Sequence, residues 1–253
     1  MKCLILIPAR SGSVRVREKN LRVLGDKPLV GHIITSASQT QSGRVIVSTN
    51  SEEIAAISNR YGAETPFLRP DRLSGATAPS LWVILHALGW LRDNEGWSPE
   101  IVAFCPPTNP FTRPNTIRSM LERLRDAPEV NSIVTITQPK THPFRIVRPS
   151  RDGHLEIGIV AIDGKTIIDI ERTQDWPRVW EGSPACRMTR AHFFRDILDM
   201  HPGVCTAAGK TYDINSCIGY EVNGIESFDI DDKSSWKVGE AILSSYSGPV
   251  REA

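Results

Sequence analysis

Four short apolar runs limit what this chain can fold into: Leu4-Ile5-Leu6-Ile7, Val45-Ile46-Val47, Ile101-Val102-Ala103-Phe104 and Ile133-Val134-Thr135-Ile136. Runs of this length with little polar alternation suit strands covered on both faces, as in a parallel sheet. Between them the apolar period changes to that of a helix. Val30, Ile33 and Ile34 share one face, as do Leu81, Ile84, Leu85, Leu88 and Leu91, and then Ile117, Met120, Leu121 and Leu124. Strands alternating with helices predict an α/β domain whose mostly parallel sheet is flanked by helices. At 253 residues the chain is long enough for one such domain, 1–253, with a subsidiary lobe.

Ligands of open α/β sheets collect beyond the carboxyl ends of the strands, so the segments that follow the apolar runs are where chemistry is expected. The first run breaks at Pro8 into a basic loop, Ala9 to Asn20. Its small residues Ala9, Ser11, Gly12 and Ser13 let backbone N–H groups approach an anion, and Arg10, Arg15, Arg17 and Lys19 add cations suited to phosphate oxygens. A triphosphate fits; a solvated surface loop with scattered basic residues is the bland alternative. The run at Ile101–Phe104 empties into Cys105-Pro106-Pro107-Thr108-Asn109-Pro110-Phe111, a second rigid loop at the same end. Near the C-terminus, Asp229 and Asp231 alternate in an extended segment, which points both carboxylates to one side where they could share a hard cation. The competing reading is a helix N-cap, which Asp231 or Asp232 could provide. Asn50 with Glu53 forms a capping-box pattern for the second helix, and His32 belongs to packing.

Several chemistries have no support. The glycine spacings at Gly158 to Gly164-Lys165-Thr166 and Gly203 to Gly209-Lys210-Thr211 do not make a P-loop, and no GxGxxG follows a strand. No local signature marks a Ser-His-Asp or Cys-His site. Thirty Lys and Arg against 29 Asp and Glu give a net charge of +1, so no overall field argues for nucleic acid or an anionic membrane surface. Five dispersed cysteines lack zinc or redox spacing and read as buried thiols. No run approaches 18 apolar residues, and Arg10 follows the first apolar run too closely for a signal segment; a soluble cytoplasmic protein is expected. From Lys140 to Cys186 the pattern turns to short β-like runs with a hairpin signal at Asp163-Gly164, predicting an inserted lobe over 140–186.

These motifs, in this order, resemble the CMP-sialic acid synthetases, or acylneuraminate cytidylyltransferases. Ile7-Pro8-Ala9-Arg10-Ser11-Gly12-Ser13 with Lys19-Asn20 is similar to that family's nucleotide-binding signature. Val45-Ile46-Val47-Ser48-Thr49, Leu68-Arg69-Pro70 with Thr77 and Ser80, Pro107-Thr108-Asn109-Pro110-Phe111 and Asp229-Ile230-Asp231 resemble its later motifs. The resemblance implies a Rossmann-like, GT-A-like nucleotidyltransferase in which CTP and a 2-keto sugar acid give CMP-sugar and pyrophosphate. It implies catalytic roles for Arg10, Lys19 and Asp231, and a nucleotide site formed by Ala9, Arg10, Ser13, Arg15, Lys19, Asn20, Arg69, Ser80, Pro107 and Thr108. Asp229 and Asp231 would hold Mg²⁺ or Mn²⁺. Arg145 and Arg172 would meet the sugar acid, with further donors from the stretch between Arg172 and Arg187. The family's homodimers use the inserted lobe, so Trp176 and Trp180 are either interface anchors or packed within their own lobe.

The chain departs from that family at a few places. Val14 stands where a phosphate-binding lysine is usual, Asn50 and Ala76 replace frequent Asp residues, Pro106 replaces a base-reading Gln, and Gly182-Ser183-Pro184-Ala185-Cys186 replaces an Asn-Gly-Ala turn. These leave two further readings open: a related enzyme with another nucleotide or acceptor, such as an eight-carbon keto acid or a phosphonate, and a non-catalytic nucleotide-binding descendant.

Overall fold

The computed structural model describes residues 2–194 and 211–245. The helical reading of Ala191–Met200 therefore falls outside the described residues beyond Phe194, as do Cys205 and the Gly203–Gly209 turn. In chain order the elements are β1 (Cys3–Pro8), β2 (Val23–Leu24), β3 (Lys27–Pro28), α1 (Leu29–Gln39), β4 (Arg44–Ser48), α2 (Glu52–Arg60), α3 (Ser80–Glu95) and β5 (Ile101–Phe104). Then follow α4 (Pro114–Asp126), β6 (Ser132–Thr137), β7 (Arg148–Pro149), β8 (Leu155–Glu156), β9 (Glu181–Arg190), β10 (Cys217–Glu221) and a last helix, α5 (Lys233–Ser245).

The six-stranded sheet has the order β10-β6-β9-β5-β1-β4. Its β1–β4, β1–β5 and β6–β10 pairs are parallel, while β9 runs antiparallel to both neighbours. Alternation along β1 explains why the first run has no polar residue: Cys3, Ile5 and Ile7 enter a core with α1 and α4, and Leu4 and Leu6 a second core with α3. The stripes expected on α1, α3 and α4 are those that face the sheet. A third cluster, Val16, Leu24, Leu29, Ile230 and Trp236, ties the basic loop and the β2–β3 ribbon to α5. Gly43 marks a close approach, since a Cβ there would lie 2.3 Å from the carbonyl oxygen of Cys3.

Two boundaries differ from the sequence reading. Helix α2 is capped by Ser51, whose hydroxyl accepts from the Ile54 N–H, and Asn50 is free for another task. The lobe ends earlier than 186, because Glu181–Cys186 are part of β9 at the centre of the sheet. Gly182 and Pro184 look like turn residues because β9 is irregular there. Its register jumps between Val134 and Ile136, and the Thr135 side chain fills the gap, donating to the Ser183 or Cys186 carbonyl and accepting from the Cys186 N–H.

Ahead of β9, Asp163 and Gly164 both have positive φ between the mutually bonded Ile162 and Lys165, the geometry of a tight hairpin turn. The two tryptophans divide: Trp176 packs on His142 and Phe144 with its Nε1 donating to the Ile170 carbonyl, whereas Trp180 is 45% exposed.

Candidate nucleotide cleft

Beyond the carboxyl ends of β1 and β5 lies a cleft of about 430 Å³, walled by the basic loop, the segment between α2 and α3, the start of α3 and the Pro106–Thr108 turn. The basic loop is held at both ends. Its Ala9 N–H donates to the Ser48 carbonyl, and Ser11 donates from both N and Oγ to Asn50 Oδ1 at 2.9 and 3.1 Å. Asn20 Nδ2 donates to the Arg10 carbonyl, and Val16 is sunk into the cluster under α5. Gly12 is left-handed at the first bend of the loop, with φ +72°, and Glu18 near its end also has positive φ. Asn50 is thus the loop's anchor, a role its capping pattern hid. Ala9 is fully buried with its amide committed to Ser48, so its backbone is not the anion donor expected of it.

The acidic segment reaches the same cleft from the far end of the chain. Asn109 Nδ2 donates to the Phe228 carbonyl, the Ile230 N–H donates to the Thr108 carbonyl at 2.8 Å, and the Arg113 N–H donates to Glu226. These bonds sew the turn after β5 onto residues 226–230. The rivalry over helix capping is resolved by Asp232, which accepts from the Ser235 N–H at 2.7 Å and starts α5. Asp231 is left to face the cleft. Arg15 Nη1 donates to its Oδ2 at 3.1 Å, and Lys19 Nζ to its Oδ1 at 3.2 Å and to the Ile230 carbonyl at 3.0 Å. Asp229 is half-buried with an Oδ1 that has no hydrogen-bond partner. Burial pushes its carboxyl above the usual range, the Asp231 charge adds to this, and the Thr108 hydroxyl opposes it.

Arg69 forms the opposite wall. Its N–H donates to the Thr49 carbonyl and its Nε to Ser74 Oγ at 3.2 Å, while Nη2 is buried without a partner. Burial, helped by the Arg10 charge, brings its pKa down to about 10. Arg69 is only 4% exposed and faces a second arginine and no carboxylate, an arrangement suited to an anion. Arg10 itself curls onto the Ser11 and Gly12 carbonyls.

Of the residues expected at the nucleotide, the cleft brings together Arg10, Ser13, Arg15, Lys19, Asn20 and Arg69, with Ser80, Pro107 and Thr108 opposite. Asp231 lines it, as do the departures Val14, Ala76 and Pro106. Arg145 and Arg172 do not reach it within one chain. Both are exposed on the lobe, Arg145 over the Trp176 ring at 5.5 Å and Arg172 at 3.9 Å from Asp175. Among the described residues no cluster of three or more His, Cys, Asp or Glu side chains could hold a metal by itself.

Fold and comparison converge on a class. The sheet and its flanking helices are those of the α/β Rossmann-like nucleotidyltransferases. A solved CMP:2-keto-3-deoxy-manno-octonic acid synthetase in complex with CTP superposes with a TM-score of 0.67, covering 97% of this chain and 99% of that one at 14% identity. Residues 4–151 match the cytidylyltransferase family, and the chain belongs to it. It is 36% identical over 152 residues to the N-acylneuraminate cytidylyltransferase of Escherichia coli O18:K1:H7, covering 60% of this chain and 35% of that protein. To the CMP-N,N'-diacetyllegionaminic acid synthase of Legionella pneumophila it is 37% identical over 123 residues, 48% of this chain and 53% of that protein. The matches thus span between about a third and a half of these relatives' own length.

Proposed function

We propose that the protein is a CTP-dependent cytidylyltransferase that activates a nonulosonic, sialic-acid-like 2-keto sugar acid. The observation that carries the reading is the meeting in one cleft of Arg10, Lys19 and Arg69 with Asp231, groups as far apart in sequence as 10 and 231. In the proposed reaction the anomeric hydroxyl of the acid attacks the α-phosphorus of CTP. The bond to the pyrophosphate oxygen breaks as the new P–O bond forms, the hydroxyl proton passes to solvent, and CMP-sugar and pyrophosphate leave. Lys19, with Arg10 turned from its own loop toward the triphosphate, offsets charge growing on the leaving pyrophosphate. Arg15, which reaches Asp231 from beside Val14, stands in for the cation missing at that position. Arg69 takes an anionic or carbonyl oxygen of the nucleotide at its unpartnered Nη2.

Asp229 and Asp231 fit a divalent ion, Mg²⁺ or Mn²⁺. Asp229 holds a buried acceptor oxygen with nothing bound to it, and two carboxylates are the usual protein share of a Mg²⁺ completed by water and phosphate. When bound, such an ion polarises the phosphate it touches and acidifies a hydroxyl. In the free protein Asp231 is bonded to Arg15 and Lys19, so Asp231 would have to give up those partners to hold such an ion.

A second copy of the chain completes this reading. Among the described residues, seven of the twelve exposed large apolar side chains fall between 146 and 180: Ile146, Val147, Leu155, Ile157, Ile159, Ile168 and Trp180. Exposed apolar side chains concentrated on this stretch suit an interface with a second copy, and Arg145 and Arg172 would reach the acceptor site from the lobe of that copy. Sedimentation of the wild type is expected to give a dimer, and Ile168→Asp a mostly monomeric species; a monomeric wild type would remove the lobe from this role. Pro106 and Ala76, both on the cleft, support a second reading in which the nucleotide or acceptor differs. Pyrophosphate release from four nucleoside triphosphates against nine- and eight-carbon keto acids separates the readings. The proposed function expects release only with CTP, a nine-carbon acid and divalent metal together; no release from any pair would contradict it.

A further inference from the structure

The direction of the Asp229 carboxylate is set by a residue that does not itself line the cleft. The two peptide groups that flank Asp229 are both tied to the turn after β5. Ahead of it the Phe228 carbonyl accepts from Asn109 Nδ2 at 3.1 Å, and behind it the Ile230 N–H donates to the Thr108 carbonyl at 2.8 Å. Because each peptide group is planar, holding those two planes fixes the φ and ψ of Asp229 and with them the direction of its side chain. The carboxylate so directed lies against the Thr108 hydroxyl and next to the Asp231 charge, with a buried Oδ1 that has no hydrogen-bond partner among the described residues.

The turn does not need the Asn109 side chain for its own closure. The Asn109 N–H donates to the Pro106 carbonyl, and the Asn109 carbonyl accepts from both the N–H and the hydroxyl of Thr112. The side chain, fully buried, reaches instead to a segment 119 residues away. Its Nδ2 faces two carbonyls, that of Phe228 and, at 3.4 Å, that of Ser227, while Oδ1 faces the Thr108 hydroxyl at 3.5 Å. Two carbonyls call for a group with two hydrogens to give; a carboxylate has none and a hydroxyl has one. We propose that Asn109 is a positioning residue that acts through Asp229, aiming this carboxylate at the divalent ion and so setting the affinity for the ion and not that for the nucleotide, an inference that rests on the cytidylyltransferase reading and the metal assignment above. Partners that orient a metal ligand from behind typically change metal affinity by about ten- to a hundredfold when removed.

The test is calorimetric titration of CTP, with no acceptor acid present, onto wild type, Asn109→Ser, Asp229→Asn and the double variant. Each titration is run once in EDTA and once with Mn²⁺ in excess over nucleotide, and the ratio of the two affinities is the contribution of the ion. In Asn109→Ser that ratio is expected to fall by about tenfold, with the affinity in EDTA unchanged. The ratio in the double variant should equal that in Asp229→Asn alone, because a residue that acts through Asp229 has nothing left to position once that carboxylate is gone. A merely structural role would instead lower both affinities by the same factor, since Pro107 and Thr108 of the same turn line the cleft. That outcome overturns the inference, as do an unchanged ratio in Asn109→Ser, additive losses in the double variant, or no gain from Mn²⁺ in wild type. The expected pattern supports it even where no acid yields pyrophosphate, a result that would sink only the transfer reaction. If Asn109→Ser fails to fold, Asn109→Thr, closer to asparagine in volume, is held to the same outcomes.

Discussion

Asp231→Ala is expected to lower pyrophosphate release by at least about a thousandfold while the protein stays folded. The two halves of that expectation come from different observations. In the cleft, Asp231 faces the loop cations and stands next to Asp229, so its loss removes half of the carboxylate pair proposed to hold the metal. In the fold it does little. Its side chain is 52% exposed, its partner Arg15 is 71% exposed, and surface pairs of this kind contribute about 0–1 kcal/mol. Asp232, not Asp231, starts α5. The thermal midpoint should therefore fall by no more than about 4 °C. Undiminished turnover would take the metal role away from this residue. A collapse in stability would show that the ion pairs with Arg15 and Lys19 hold the loop in place.

Arg69→Met is expected to move stability and nucleotide affinity in opposite directions. CTP affinity should fall by about ten- to a hundredfold, because the buried, partnerless Nη2 is the group assigned to the nucleotide. Stability of the free protein should rise. The sign follows from the direction of the shift: the folded-state pKa, about 10, lies below the ordinary arginine value. The stability contributed by the uncharged form is present above the ordinary arginine value and is lost as the pH falls through about 10. At pH 6 and at pH 8 alike Arg69 is a charged group that the fold bears at a cost. The gain in Arg69→Met should accordingly be equal at those two pH values, as read from thermal midpoints without ligand. A lower midpoint would mean that Arg69 is held by interactions worth more than its burial costs, and CTP binding unchanged by the substitution would remove it from the site.

The sheet was legible because both of its faces are covered. Leu4 to Ile7, Val45 to Val47 and Ile101 to Phe104 carry no polar alternation that could suggest another element, and the stripes of α3 and α4 follow helical spacing closely. The cleft was legible where function depends on residue type: the cations of the basic loop, and Asp229 with Asp231. What the sequence hid depends on long-range pairing. The antiparallel strand β9 carries Gly182 and Pro184 because Thr135, 48 residues from Ser183, supplies the missing hydrogen bonds at its bulge. Asn50 lies one residue before a helix cap, and only the arrival of Ser11 alongside shows that it anchors the loop. Arg145 and Arg172 had the charge expected of acceptor contacts, but the chain places them on the lobe.

The central claim is that the basic loop after β1 and the acidic pair before α5 enclose one metal-bound triphosphate. A crystal structure of the complex with CTP and Mn²⁺, with the ion located by its anomalous signal, tests it most directly. The account predicts the ion against Asp229 and Asp231, the triphosphate against Arg10 and Lys19, and Arg15 and Lys19 no longer bonded to Asp231. Nucleotide or ion bound on another face, with Asp231 still held by Arg15 and Lys19, would contradict it.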